Sequence, residues 1–107
     1  MPLIRIEFDN AVVSDMDARD LSVAVRDIVS NVTSIADVFV YTNSAQIKIQ
    51  IAPIEIFVEM SAHKIKDADQ LVKQIKESLA AWKKKEEFIH RLNLTLIPMD
   101  WKVEIGI

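Results

Sequence analysis

"MPLIRIEF" at residues 1–8 and "PIEIFVEM" at residues 53–60 are two openings of one pattern. In the first, Ile4, Ile6 and Phe8 alternate with Leu3, Arg5 and Glu7; in the second, Ile54, Ile56, Val58 and Met60 alternate with Glu55, Phe57 and Glu59. A period of two is that of a half-buried strand. Each stretch is followed by a helix-start signal. Ser14 stands three residues before Asp17, and Asp67 three before Gln70, the spacing at which a side chain caps free backbone N–H groups. Beyond the caps, Ala18, Leu21, Val25, Ile28 and Val32 (joined by Ala24 and Val29) and then Ala68, Leu71, Val72, Ile75, Leu79 and Trp82 recur at helical spacing.

A β-branched and aromatic run, Val38 to Thr42, predicts a strand after the first helix, closed by a turn at Asn43-Ser44. Leu92, Leu94 and Leu96 predict one after the second, ended by a turn at Pro98-Met99-Asp100. Two further short strands are predicted at Ile47–Ile51 and Trp101–Ile105. A shift of 50 residues superposes the halves: Ile4 on Ile54, Ile6 on Ile56, Asp17-Ala18 on Asp67-Ala68, and Leu21 on Leu71. The chain therefore reads as one domain of two β-α-β repeats, about residues 2–52 and 53–107. The repeats form an α+β fold with a four-stranded sheet and both helices on one face. The other face would carry Leu3, Arg5, Glu7, Glu55, Phe57, Glu59, Asn93, Thr95 and Ile97, too apolar for open water and too polar for a core. A symmetric oligomer enclosing that face accounts for it, with the extra short strands pairing across subunits.

Composition narrows the chemistry. The 107 residues include no cysteine, which excludes thiol catalysis, disulfides and zinc–thiolate sites. Gly106 is the sole glycine, so neither a P-loop nor a dinucleotide fingerprint can be written. No nucleotide cofactor is expected. Net charge is −3 with the signs mixed along the chain, which argues against nucleic acid as a partner. Lys83-Lys84-Lys85 falls at a helix end, where it complements the macrodipole. His63 and His90 lack metal-ligand spacing, and no metal is expected. With no signal-peptide pattern and no apolar run near the roughly 20 residues of a membrane span, a cytoplasmic, soluble protein is the expectation. The sequons at Asn31 and Asn93 are then accidental.

An opening Met1-Pro2, two β-α-β units, and an Ile97-Pro98 before Trp101 and a late Gly106 together resemble the tautomerase superfamily. Within it the chain is similar to the two-repeat form seen in macrophage migration inhibitory factor and carboxymethyl-hydroxymuconate isomerase. It most resembles a small uncharacterised bacterial family grouped with them. The resemblance implies a homotrimer and a catalytic amino-terminal proline acting on a small keto or enol substrate.

The chemistry at Pro2 can be argued independently. With Met1 removed, Pro2 carries a secondary amine; an α-amino group titrates near 8, and an apolar pocket lowers that value by disfavouring the cation. Such an amine can take a proton beside a carbonyl and return it elsewhere. With Met1 in place the nitrogen is an amide and no base. Proline is also tolerated at a strand start for purely structural reasons. A non-catalytic binding trimer of the same fold is the alternative.

Other candidate site residues follow the resemblance. His63 and Lys64, in the turn after the strand begun at Ile54, are candidates to hold an anionic substrate, and Arg5 is a further cation. Asn93 and Thr95 match the positions where relatives carry a tyrosine and an asparagine, so the tyrosine is missing. Relatives acting on dicarboxylic substrates place arginines where this chain reads "DNAVVSD" (9–15) and "ADVFVYT" (36–42), without arginine.

Overall fold

The computed structural model describes residues 2–107; Met1 lies outside the described residues. The chain runs β1 (Leu3–Phe8), α1 (Asp15–Thr33), β2 (Phe39–Asn43), β3 (Ile54–Ser61), a 3-10 turn (Ala62–Lys64), α2 (Ala68–Glu86) and β4 (Asn93–Met99). The four strands make one sheet in the order β2-β1-β3-β4. Within each half the strands are parallel, and the two halves meet antiparallel at β1 and β3. This is the expected pair of β-α-β units, with the second strand of each unit at an outer edge.

The predicted caps form. Ser14 Oγ accepts from the Asp17 N–H at 3.1 Å, and Asp67 Oδ1 accepts from the Gln70 N–H at 3.1 Å. Each helix stops in a left-handed residue, Ser34 (φ 59°) and Glu87 (φ 54°). At the second, the Phe88 N–H returns to the Lys83 carbonyl at 2.9 Å. Lys83, Lys84 and Lys85 occupy the last turn of α2, as the macrodipole favours.

The helix-facing side of the sheet is the core: Ile4, Ile6, Ile54, Ile56 and Val58 are inaccessible to solvent, and Leu21, Val25 and Val29 of α1 close over them. α2 is seated less deeply. Ile75 and Leu79 are buried, whereas Leu71 and Trp82 are partly buried and Ala68, expected in the stripe, is exposed.

One sequence expectation is corrected and two are not met within a single chain. Residues 47–51 and 101–105 form no strand: their alternation is correct, but no neighbouring strand in the chain takes up their backbone hydrogen bonds. Ile47 and Ile49 stand 83% and 95% exposed. Pro98, expected in a turn, lies inside β4 opposite Met60. An edge strand accepts proline because a donor directed outward has no ladder partner to lose.

Candidate active site at the Pro2 end of the sheet

Pro2 shares the parity of Ile4 and Ile6, so it belongs to the helix-facing side, and it is fully buried. Its carbonyl accepts from the Phe39 N–H at 3.2 Å, tying the start of β1 to the start of β2. Continued by one residue, the β1–β3 register sets Pro2 beside Met60, itself buried. The surroundings are apolar on the flanking strands, with Val38 before β2 and Met60 near the end of β3. Burial among such groups disfavours a charged amine.

β3 ends at this same edge of the sheet and passes directly into the Ala62–Lys64 turn. His63 and Lys64 are therefore delivered to the Pro2 end by chain connectivity. Both are exposed, and neither has a side-chain hydrogen bond or ion pair among the described residues.

Arg5, Thr95 and Asn93 belong to a different surface. Strand register lays the open face out in three rows: Phe39, Leu3, Glu59 and Ile97; then Tyr41, Arg5, Phe57 and Thr95; then Asn43, Glu7, Glu55 and Asn93. Arg5 is already engaged. Its Nη2 and Nε lie 3.0 and 3.1 Å from Glu59 Oε1, and its guanidinium sits 4.9 Å from the centre of the Phe57 ring. Asn93 Nδ2 donates to Glu55 Oε1 at 2.9 Å. That bond partly relieves two carboxylates, Glu7 and Glu55, set directly opposite one another. Three residues up β1 from Pro2, Arg5 is about 10 Å away at the usual strand rise. The structure thus groups Pro2 with His63 and Lys64, and places Arg5, Asn93 and Thr95 together on the open face.

One contact invisible to sequence reasoning holds the opposite end. Lys48 Nζ bonds Asp9 Oδ1 at 3.0 Å and also reaches Asn10 Oδ1, pinning the 44–52 segment across the turn after β1. The Lys48 hydrogen bond, and then the Ala11 N–H, hold the Asp9 carboxyl below its ordinary value. Contacts of this kind depend on tertiary register, for which the sequence carries no local signal.

No family model and no curated protein matches the chain. Solved structures do. FG41 malonate semialdehyde decarboxylase inhibited by 3-bromopropiolate superposes with a TM-score of 0.66 at 23% identity, covering 98% of this chain and 91% of that one. A macrophage migration inhibitory factor-like protein from Entamoeba histolytica gives 0.64 at 13% identity, over 96% and 95% of the two chains. The fold is that of the tautomerase superfamily. A domain of unknown function from Sebaldella termitidis shares it as well, with a TM-score of 0.65 at 15% identity over 100% and 98% of the chains. At these identities the likeness fixes the tautomerase fold and leaves activity to be argued from the site.

Proposed function

We propose that the chain is a tautomerase- or isomerase-like protein in which Pro2, freed by removal of Met1, is the general base acting on a small keto or enol substrate. The observation that carries the reading is the placement of Pro2: fully buried, in apolar surroundings, at a sheet edge where two unpartnered side chains that can carry positive charge, His63 and Lys64, stand in the adjacent turn. Desolvation lowers the basicity of the amine toward neutrality, so that it is unprotonated and competent at cytoplasmic pH. His63 or Lys64 takes the carboxylate of the substrate or polarises its carbonyl. No metal or cofactor is required for such a proton transfer.

The assembly belongs to the same proposal. The open face sets Leu3, Phe57, Ile97, Phe39 and Tyr41 around the Arg5–Glu59 pair, and the 47–51 and 101–107 segments present isoleucines without partners. A homotrimer that encloses this face and pairs those segments between subunits satisfies both. In it Arg5, Thr95 and Asn93 line the interior, and Arg5 already has its counter-ion.

The test compares three forms of the protein in the ketonisation of phenylenolpyruvate: processed, Pro2→Ala, and blocked by retained Met1. The processed form is expected to be fastest, and the blocked form, whose Pro2 nitrogen is a non-basic amide, slowest. Equal rates for processed and blocked protein would remove Pro2 as the base and leave the non-catalytic binding trimer, which the prior engagement of Arg5 by Glu59 favours as the second reading.

A further inference from the structure

A broad concavity lies between the outward sides of α1 and α2, away from both Pro2 and the open face of the sheet. It measures about 740 Å³. Its floor is apolar, with Ala24 and Ile28 from α1 facing Trp82 and Phe88. The two rings are fixed against each other at 5.0 Å between centroids, and His90 packs edge-on to Phe88 at 5.1 Å.

The rim has one sign of charge. Asp17, Asp20 and Asp27 line it from α1, Glu86 and Glu87 from the end of α2, and no lysine or arginine does. Asp17 is met by His90 at 3.2 Å and Asp27 by Arg26 at 3.0 Å. Asp20, Glu86 and Glu87 have no ion-pair partner among the described residues. Nothing in the proposed proton transfer uses any of them.

We propose that this groove docks a basic, amphipathic peptide segment of a partner protein, with one apolar side chain seated on Trp82 and Phe88 and lysines or arginines on the carboxylate rim. Charge complementarity selects the sign of the occupant, and the extent of the rim selects its length. Asp17 and Asp27 are ten residues apart on one helix, about 15 Å. A single small amine neutralises one of the three carboxylates without an ion-pair partner, Asp20, Glu86 and Glu87; a segment of two to three helical turns places cations against Asp20 and against the Glu86–Glu87 pair while burying an anchor on the aromatic floor. Because the groove is on the outer helical layer, enclosing the open sheet face in an oligomer leaves it accessible.

The probe is a synthetic twelve-residue helix of leucine, alanine and lysine with four lysines flanking one leucine face. Binding is read by Trp82 fluorescence in a Trp101→Phe background and by amide shift mapping in the full chain. Saturable one-to-one binding is expected, with shifts confined to residues 17–28 and 82–90. The Asp20→Asn, Glu86→Gln, Glu87→Gln triple variant should bind about tenfold more weakly while melting cooperatively and no lower than wild type. An Asp20→Lys, Glu86→Lys variant should lose the lysine probe and gain a glutamate version of it. The proposal is overturned if the triple variant binds the probe unchanged, if the glutamate version binds wild type equally, if shifts fall on the open face, or if benzylamine binds as tightly as the peptide. None of these outcomes depends on whether Pro2 is catalytic.

Discussion

The two β-α-β halves share an order of elements and a helix length of 19 residues, yet they are not equal in the core. α1 buries Ala18, Leu21, Ala24, Val25 and Val29, while α2 buries only Ile75 and Leu79. β3 is as deeply covered as β1, so the asymmetry arises in α2, β4 and the connection between them, where Leu71, Trp82, Leu92, Leu94 and Leu96 remain partly open. Repetition of a sequence pattern therefore repeats topology without repeating energetics. Both central strands carry the core, α1 closes over it more completely than α2, and α2 with β4 supplies half-covered surface, including the aromatic side of the helix groove.

That comparison is most exposed to a pair of substitutions. Leu21→Asp puts a charge where there is no solvent access, and a cost above about 4 kcal/mol is enough to unfold a small domain. Leu71→Asp, at the superposed position, reaches water and should cost about 1–3 kcal/mol, leaving a cooperative melt. Sequence reasoning alone expects both to prevent folding. Equal losses in denaturant unfolding would restore the symmetry of the halves.

Where the halves are locally alike they should respond alike. Ser14→Ala and Asp67→Ala each remove a side-chain acceptor 3.1 Å from a helix N–H and should each cost about 1 kcal/mol. A cost confined to Ser14 would mean that α2 begins independently of its cap. Smaller still, Ser34→Gly and Glu87→Gly relieve left-handed backbone and should each stabilise by about 0.5–1 kcal/mol. Glu87→Gly also removes a carboxylate from the negative end of α2, so its gain should be the larger of the two.

The smallest effect concerns the loop that closes the first half. Asp9 is held below its ordinary value in the folded chain by Lys48. The contact therefore contributes fully above the unfolded carboxylate value near 4 and is lost as pH falls through the lowered folded value. Amide exchange in residues 44–52 should accelerate only on that acid side, and Asp9→Asn should give the faster rate at neutral pH. No equivalent pH response is expected in the 87–92 connection from this group.

The legible part of the molecule was the part governed by local periodicity. Alternation identified β1 and β3, the 3.6-residue stripe identified both helices, and the Ser14 and Asp67 spacings located their starts. Segments 47–51 and 101–105 are not strands within one chain because alternation reports a face and not a partner; the partners expected for those backbones belong to other subunits. Pro98 was misread because a turn signal and an edge strand admit the same residue. At the site, the grouping of Pro2 with His63 and Lys64 came from the family resemblance, not from a local signal. The Arg5–Glu59 and Asn93–Glu55 contacts required strand register, and the Trp82–Phe88–His90 stack required the left-handed exit from α2.

The central claim, that burial at the sheet edge makes Pro2 a usable base, is tested most directly by titrating the Pro2 nitrogen itself. In processed protein labelled with nitrogen-15 at proline, the amine resonance followed from pH 4 to 10 should titrate below the ordinary α-amino value of about 8. Ketonisation should rise with the same midpoint. An amine that titrates at or above the ordinary value, or a rate whose pH dependence ignores it, would contradict the account.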